Sequence, residues 1–383
     1  MTEPVIPSVD RAATNVPPPG GLGAIARGKP HLFGMRPEDL ALALERAGVA
    51  CTITEARRVL GHVLSNGRDD LALGKPPRRA VLRAIDEQLD RTPLEIVERA
   101  RDDDDGFVKY LFRHPDGALT EAVRIPLQKP HRFTLCLSSQ VGCAMRCTFC
   151  ATGELGLTRS LAAWEMVAAF RAVRDEAVRE DSRRRVSGAV FMGQGEPFHN
   201  YDEVIQAARV LSDPCGGRIA KEAITISTVG LVPQIERYAR EAQPYRLIVS
   251  LTSAIEAKRR ALLPVAGRFA LDDLVRALKA VAIVNGGKRV TLAWVLMQGV
   301  NHGGDEVLAL RERFDGVPFR LNLIDVNRTD GRYERASDEE RSQMISLLHA
   351  AGIPTIRRYS GGKNKHAACG MLARVQAEPA EAP

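Results

Sequence analysis

The sequence predicts an α/β protein in which a curved or barrel-like parallel sheet follows a small helical unit. From Phe133 onward, strand-like segments alternate with helix-like segments, as expected for parallel strands joined by right-handed crossovers. Between Met35 and about Glu98, apolar residues recur instead at helical spacing. Polar and glycine-rich motifs follow several of the strand-like segments, and barrel active sites lie at that end of the strands.

The residues before this alternation divide into three parts. Residues 1–30 are rich in proline and glycine, which predicts a disordered tail. Residues 31–100 predict an accessory domain of three helices, near positions 37–48, 53–65 and 78–90. Residues 101–132 predict a linking β-hairpin or cap with strands at Phe107–Arg113 and Glu121–Ile125. The acidic run Asp102–Asp105 is expected to form a solvated turn.

Residues 133–375 form the predicted sheet region, and residues 376–383 predict a second disordered tail. The last helix opens with a capping-box pattern from Ser337 to Glu340. The predicted strands are Phe133–Ser138, Val186–Met192, Ala223–Ser227, Arg246–Leu251, Arg289–Leu296, Phe319–Ile324 and Thr355–Arg358. The predicted helices are Leu161–Glu180, Asp202–Leu211, Val232–Ala242, Leu271–Ile283, Glu306–Phe314 and Glu339–Ala350.

Composition limits the function classes. With 45% hydrophobic and 26% charged residues among 383, the chain is neither disordered throughout nor collagen-like nor a coiled coil. It contains no apolar run long enough for a membrane and no signal-peptide core, so we expect a cytoplasmic protein. The net charge of +7 favours a polyanionic partner such as nucleic acid. Seven cysteines, an odd number, indicate metal binding or catalysis rather than a disulfide framework.

The strongest motif is a cysteine cluster directly after the first predicted strand of this region. Cys143, Cys147 and Cys150 stand in C-x3-C-x2-C spacing. Three thiolates from one loop can hold three irons of a [4Fe–4S] cluster and leave the fourth iron open. The alternatives are a zinc knuckle or three unconnected cysteines, but a structural zinc site needs a fourth ligand and usually shows two paired clusters. The spacing therefore favours iron and sulfur.

This motif resembles the signature of radical S-adenosylmethionine (SAM) enzymes, in which SAM chelates the open iron. Further motifs resemble those of the RlmN/Cfr family of RNA adenine methyltransferases. They are Thr134–Cys143, Met192–Pro197, Ser227–Pro233, Gly299–Asn301, Leu321–Asn327 and Ala367–Gly370. The resemblance implies a radical SAM partial (β/α)6 barrel, with a [4Fe–4S] cluster and SAM as cofactors, behind an N-terminal helical domain that binds RNA.

The resemblance also implies roles for individual residues. Cys369 would take a methyl group from SAM and become crosslinked to RNA, and Cys136 would resolve the crosslink and leave a disulfide with Cys369. Glu121 aligns with a proton acceptor of the family. From the sequence alone, Cys136 is more typical of a buried core residue, and Glu121 of a solvated strand glutamate. The implied SAM contacts are Gly195, Glu196, Ser227, Leu251, Thr252, Ser253 and Asn327.

The substrate implied in this way is an adenine of 23S rRNA, with tRNA as a further substrate, methylated at carbon C2. Methylation at C8 or of another RNA is the first alternative, and a non-catalytic, metal-stapled RNA-binding protein is the second. A radical SAM enzyme acting on a protein or a small molecule is disfavoured by the basic charge. The family further implies an electron donor such as flavodoxin or ferredoxin, no membrane partner, and a monomer.

The sequence departs from the family pattern around the thiol. The segment Gly361–His366 is basic where the family is usually acidic, and Met371 replaces a common glutamine. Gln194 stands within the glycine-rich motif, and Ser250–Ser253 departs from the usual Ser-Leu-His-Ala. These changes leave the cluster cysteines, Cys136 and Cys369 in place, so they bear on the target base more than on the chemistry.

Overall fold

The computed structural model describes residues 28–327, 331–358 and 361–373. The predicted tails lie outside these ranges, apart from residues 28–30. The strands are β1 (Glu95–Arg101), β2 (Val108–Arg113), β3 (Leu119–Pro126), β4 (Arg132–Leu137), β5 (Gln140–Gly142), β6 (Leu157–Ser160), β7 (Arg185–Phe191), β8 (Ile224–Thr228), β9 (Arg246–Ser250), β10 (Val290–Leu296), β11 (Phe319–Asp325) and β12 (Thr355–Arg357). The helices are α1 (Pro37–Arg46), α2 (Ile53–Leu60), α3 (Arg79–Gln88), α4 (Ala151–Glu154), α5 (Ala163–Glu180), α6 (Tyr201–Ser212), α7 (Val232–Arg240), α8 (Glu256–Leu262), α9 (Leu271–Val284), α10 (Gly304–Arg313) and α11 (Asp338–Ala350).

One sheet of ten strands organises the described part of the chain, in the order β1-β2-β3-β4-β7-β8-β9-β10-β11-β12. From β4 to β12, neighbouring strands pair in parallel, which confirms the alternation that the sequence shows. Among the described residues, β1 and β12 are not paired with each other, so the sheet remains open as a partial barrel. The carboxyl ends of the parallel strands therefore meet at one edge, where the motifs lie.

The central parallel strands are rich in apolar residues, and β10 is the clearest case. In β10, six of seven residues are buried, as expected for a strand covered on both faces. Helices α5 and α9 pack against strands of the sheet, and α6 and α7 pack against α5 and α9 respectively. The capping box predicted for the last helix is confirmed, because the Ser337 side chain accepts a hydrogen bond from the Glu340 backbone N–H.

The predicted hairpin belongs to the main sheet. Strands β2 and β3 pair antiparallel, as predicted, and β3 continues antiparallel onto β4. Strand β1 is an additional strand in a stretch that the helical interpretation included. Its sequence, Glu-Ile-Val-Glu-Arg-Ala-Arg, gives no clear alternation, because it lies at the sheet edge where most of its side chains remain accessible.

The N-terminal helices pack onto α5 and α6. The His31 and Trp164 rings stack with their centroids 4.1 Å apart, and the Arg171 guanidinium lies 4.8 Å from the centroid of the Phe33 ring. The Gln206 side-chain amide donates a hydrogen bond of 2.9 Å to the Gly34 carbonyl. No helix within the described ranges is long and apolar enough to cross a membrane.

Candidate active site at the carboxyl ends of the strands

The cysteine loop is clamped at its base by the short antiparallel pair β5 and β6. The Cys143 backbone N–H donates to the Gly156 carbonyl at 2.7 Å. Gly142, just before it, has a φ of +76°, and a Cβ there would lie 2.0 Å from the Gly156 oxygen. Glycine is thus needed at position 142 so that the two ends of the loop can meet.

All three motif cysteines line one cavity, and Cys143 and Cys147 are buried. Burial raises the pKa of both thiols, and neighbouring thiols raise it further. Buried thiolates need positive charge beside them, such as that of bound metal ions, to remain ionised. Within the described ranges, no three His, Cys, Asp or Glu side chains stand close enough to hold a single metal ion. The positions of the three thiols on one loop remain the observation that favours a multi-iron cluster.

Gly195 and Glu196 enter the same cavity from the loop after β7, as predicted. Gly195 has a φ of +103°, and a Cβ there would lie 2.6 Å from the Gln140 Cβ. The Glu196 carboxylate is 2% exposed and accepts hydrogen bonds of 2.9 Å from the Phe198 and Val229 N–H groups. Burial nevertheless raises the pKa of Glu196 to about 7.

Ser227 and Asn327, at the ends of β8 and β11, also line the cavity. Ser227 lies in β8, and Asn327 follows β11. The Asn327 amide donates to the Cys369 carbonyl at 3.2 Å. Ser250 and Asp325 line the cavity as well, although the motifs did not single them out. Both are the last residues of parallel strands, so the strand ends could have indicated them.

Three of the predicted SAM residues do not line the cavity. Leu251, Thr252 and Ser253 are fully buried, because β9 ends at Ser250 and the chain then turns away from the cavity. Thr252 has a φ of +61°, and its carbonyl accepts a hydrogen bond from Asn301. The Ser253 hydroxyl donates to the Glu306 carboxylate at 2.7 Å. These hydrogen bonds hold the chain after β9, Ser250 lines the cavity, and the role of the three residues in SAM binding stays a prediction.

Arg259 is a buried cation that the sequence did not reveal. Its guanidinium donates to the carbonyls of Ser250, Leu251 and Val229 at 2.7–2.9 Å. Burial lowers its pKa to about 10, while the nearby Cys147 acts in the opposite direction. In the sequence Arg259 is followed by a second arginine in α8, and nothing in that pair shows which of the two is buried.

The segment around Cys369 forms part of the cavity wall. The Ala151 N–H donates to the Gly370 carbonyl at 2.8 Å, and the Thr152 hydroxyl donates to the Leu372 carbonyl. These hydrogen bonds join the C-terminal segment to the helix that follows the cluster cysteines. Cys369 therefore faces the same space as the three motif cysteines.

The acidic turn Asp102–Asp105 binds the basic segment before Cys369. The Gly362 N–H donates to the Asp105 carboxylate at 2.7 Å, and the Asn364 amide donates to the Asp104 carboxylate at 2.8 Å. Asp102 is 2% exposed. The expectation of a purely solvated turn is wrong at Asp102, which is buried, and at Asp105, which has a partner 257 residues further along the chain.

Cys136 and Glu121 lie beneath this segment and do not line the cavity. Cys136 packs with Phe107, Ala367 and Leu372, and burial, reinforced by Cys369, raises its pKa to about 12. The Glu121 carboxylate is buried, lies 2.9 Å from the Lys109 ammonium, and accepts a 2.9 Å hydrogen bond from the Ala373 N–H. The implied disulfide is not present. All seven cysteines lie in the described ranges, and each is a free thiol.

Comparison with known proteins agrees with this geometry. Residues 137–311 match the family model of the radical SAM superfamily. The chain resembles the crystal structure of a radical SAM methyltransferase from Sphaerobacter thermophilus, with a TM-score of 0.81 and 36% identity over 90% of this chain and 99% of that chain. Fold and site together thus define a radical SAM methyltransferase.

Curated relatives place the chain more narrowly within the radical SAM methyltransferases. The "Probable RNA methyltransferase" of Anaeromyxobacter sp. (strain Fw109-5) is 48% identical over 345 residues, which are 89% of this chain and 98% of the relative. The "Dual-specificity RNA methyltransferase RlmN" of Desulfotalea psychrophila is 36% identical over 284 residues, or 73% and 76% of the two chains. The chain belongs to the radical SAM RNA methyltransferases of the RlmN type. This confirms the resemblance and the enzyme class, and excludes the non-catalytic alternative.

The family's cofactors are one [4Fe–4S] cluster and SAM. The residues present fit both groups. Three thiols of one loop, of which Cys143 and Cys147 are buried and Cys150 is half-buried, can hold three irons of such a cluster and leave the fourth iron open for a small molecule. Glu196 offers a buried carboxylate for an amino group, and the glycine at position 195 allows close approach of a ligand.

Proposed function

We propose that the protein methylates carbon C2 of an adenine in RNA, with 23S rRNA as the main substrate and tRNA as a second one. One observation carries the proposal: Cys369 shares a cavity with the three cluster cysteines and Glu196. The names of relatives that match most of the chain support RNA as the substrate. The net charge of +7 also favours a polyanion.

The two thiols suit this chemistry because adenine C2 is not a nucleophile, so polar methyl transfer from SAM fails. Covalent catalysis replaces one difficult step by easier ones. When bound, the cluster and SAM supply a methyl group and the 5′-deoxyadenosyl radical. Cys369 carries the methyl group on its sulfur and presents it in the cavity. Cys136, buried under the same segment, assists release of the product from Cys369.

Glu121 is the proton acceptor in this proposal. Its carboxylate is buried and lies 2.9 Å from the Lys109 ammonium. It also contacts Ala373, four residues after Cys369. We further propose that the N-terminal helices contribute to RNA binding, that flavodoxin or ferredoxin supplies electrons, and that the protein acts as a monomer.

Nucleoside mass spectrometry of rRNA and tRNA, from cells with and without the gene, tests the target. We expect 2-methyladenosine to disappear with the gene. Loss of 8-methyladenosine instead would assign the protein to C8 chemistry and contradict the C2 proposal. An unchanged set of methyladenosines in both RNAs would contradict the proposed substrate altogether.

Substitution of the thiol tests the mechanism. Purified Cys369→Ala protein should transfer no methyl group to RNA, yet it should still cleave SAM to 5′-deoxyadenosine, because the cluster cysteines and Glu196 are unchanged. Cys215→Ala is the matched control, since Cys215 lies in the turn after α6 and does not line the cavity. RNA methylation by the Cys369→Ala protein would rule out the covalent step.

A further inference from the structure

A second cavity, of about 400 Å³, adjoins the site. Asn327 lines both cavities, and its amide donates to the Cys369 carbonyl at 3.2 Å. The second cavity therefore lies directly beside the backbone of the proposed methyl-carrying residue. Its volume is within the range of about 300–1,000 Å³ that is usual for small-ligand sites. Its other lining residues include Tyr333, Glu334, Arg335, Lys363 and Met371.

These lining residues combine an apolar surface with two cations, Arg335 and Lys363, and one carboxylate, that of Glu334. Tyr333 is 9% exposed, and its hydroxyl shares a 2.8 Å hydrogen bond with Thr148 of the cluster loop, so the ring is fixed relative to the cluster cysteines. Met371 adds a polarizable side chain. Lys363 and Arg335 supply positive charge, and Arg335 also lies 3.7 Å from the Asp325 carboxylate. Lys363 is therefore the principal cation for a ligand in this cavity.

A flat ring joined to a phosphate matches that combination. Unstacked RNA bases are bound by aromatic side chains, and their phosphates by lysine and arginine. In RNA, the nucleotide next to an adenine that has entered the first cavity is only one backbone unit away. No small molecule is tethered in that way to the target base. The position of the cavity thus favours a second nucleotide of the same RNA.

We propose that this cavity binds the RNA nucleotide that flanks the target adenine, with its base against Tyr333 and Met371 and its phosphate at Lys363. The inference rests on the proposed function, because it identifies a second subsite for the same RNA. Lys363 and Met371 are two of the positions at which the sequence departs from the family pattern. The subsite therefore sets which sequence context around the adenine this protein accepts.

The test uses an RNA hairpin with the target adenine in its loop and a second hairpin in which the flanking nucleotide is abasic. With wild-type protein, removal of the flanking base should raise the Kd for the hairpin about tenfold, since stacking of one base contributes on the order of 1–3 kcal/mol. Tyr333→Leu should show the same weakened binding with both hairpins. Tyr333→Phe, which keeps the ring and loses only the Thr148 contact, should behave as wild type.

Lys363→Ala provides an independent arm of the test on an accessible loop residue. It should lower the slope of log K against log salt by about one, as expected for one lost phosphate contact. The matched control is Lys221→Ala, which removes the same charge before β8, at the opposite end of the parallel strands. Equal salt slopes for Lys363→Ala and wild type would overturn the phosphate assignment.

The two proposals fail in different ways. Loss of the flanking base and Tyr333→Leu can each raise the Kd. If the two factors multiply when the Tyr333→Leu protein is measured with the abasic hairpin, the ring does not contact the flanking base and the subsite is refuted. If no hairpin is bound or methylated by wild-type protein that cleaves SAM, the proposed function itself fails. Binding is measured directly in both arms, so the subsite is tested without turnover.

Discussion

Glu196 is buried in the protein and also lines the cavity that contains the cluster cysteines. Its two carboxylate oxygens accept backbone N–H groups, and these hydrogen bonds favour the ionised form. Burial outweighs them and leaves the pKa at about 7. This carboxyl group therefore changes its charge near neutral pH, whereas an exposed glutamate is ionised well below that pH.

We expect SAM binding to depend on pH because of Glu196. A bound amino group favours the ionised carboxylate, so below pH 7 a proton must leave before SAM binds tightly. The Kd of SAM for the reconstituted protein should thus be about tenfold higher at pH 6 than at pH 8. Isothermal calorimetry in two buffers of different ionisation enthalpy also measures the released proton.

Glu196→Gln should bind SAM more weakly and lose this pH dependence. Glu306→Gln is the matched control, because burial raises the pKa of Glu306 too, but its carboxylate contacts Ser253 outside the cavity. A constant Kd for wild-type protein from pH 6 to pH 8 would contradict the assignment of Glu196 to the amino group of SAM.

At the scale of single residues, the sequence identified functional residues that follow a regular spacing. It did not identify those whose role depends on burial. The cluster cysteines are recognisable because three thiols within eight positions serve one chemical purpose. Arg259 gave no such signal, since an arginine in a helix is an ordinary residue, and Ser250 could have been indicated only by its place at a strand end. The cofactor roles of Leu251, Thr252 and Ser253 follow from the resemblance and stay a prediction, since these buried residues directly follow β9.

At the scale of elements, the acidic turn and the C-terminal segment act as one unit. Residues 102–105 connect β1 to β2, at the edge of the sheet, and they hold residues 361–364 by hydrogen bonds from charged acceptors. Each such bond contributes about 1.5–3 kcal/mol when its partner cannot find a substitute. The basic side chains of the segment need not pair with the turn, because a backbone N–H and an amide make the contacts.

Asp105→Ala should loosen the C-terminal segment without unfolding the protein. The substitution removes the acceptors for the Gly362 and Phe107 N–H groups. We expect hydrogen exchange across residues 362–371 to accelerate at least tenfold, and RNA methylation to fall while SAM cleavage continues. Asp103→Ala is the control, because Asp103 is exposed in the same turn and its ion-pair partner is Arg101, at a distance of 3.8 Å. Equal exchange in the two variants would show that the turn does not hold the segment.

The elements that the sequence predicted best are those with a single pattern along their whole length. The parallel strands are short apolar runs separated by amphipathic helices, and each predicted strand overlaps an observed one. Strand β1 and the pair β5–β6 were missed. They are short or edge elements, whose pairing depends on distant partners rather than on their own periodicity.

At the scale of the whole molecule, the N-terminal helices and the barrel share contacts that cross their boundary. Trp164 of α5 stacks on His31, and its backbone lies against Gly34. The Ser65 hydroxyl donates to the Gly216 carbonyl at 2.9 Å, and Arg171 pairs with Asp69. The division into domains at residue 100 stays a prediction, and these contacts indicate that the two parts stabilise each other.

We therefore expect one cooperative thermal transition for the full chain, measured by differential scanning calorimetry. Trp164→Ala removes a stacked aromatic ring and should destabilise the protein, by less than the loss of about 3–5 kcal/mol typical of a core tryptophan because Trp164 is only partly buried. The variant should lower the transition temperature of both parts together. Two separate transitions in wild-type protein, with only one shifted by Trp164→Ala, would show that the N-terminal helices fold independently.

The segment that bears Cys369 is also part of the wall that encloses the cavity. If a base enters on that side, the segment must first move away, and its sulfur then no longer points at the interior. Admission of the substrate and presentation of the reactive sulfur therefore exclude each other and have to alternate. One short stretch of chain would thus both control access to the cavity and carry the reacting sulfur.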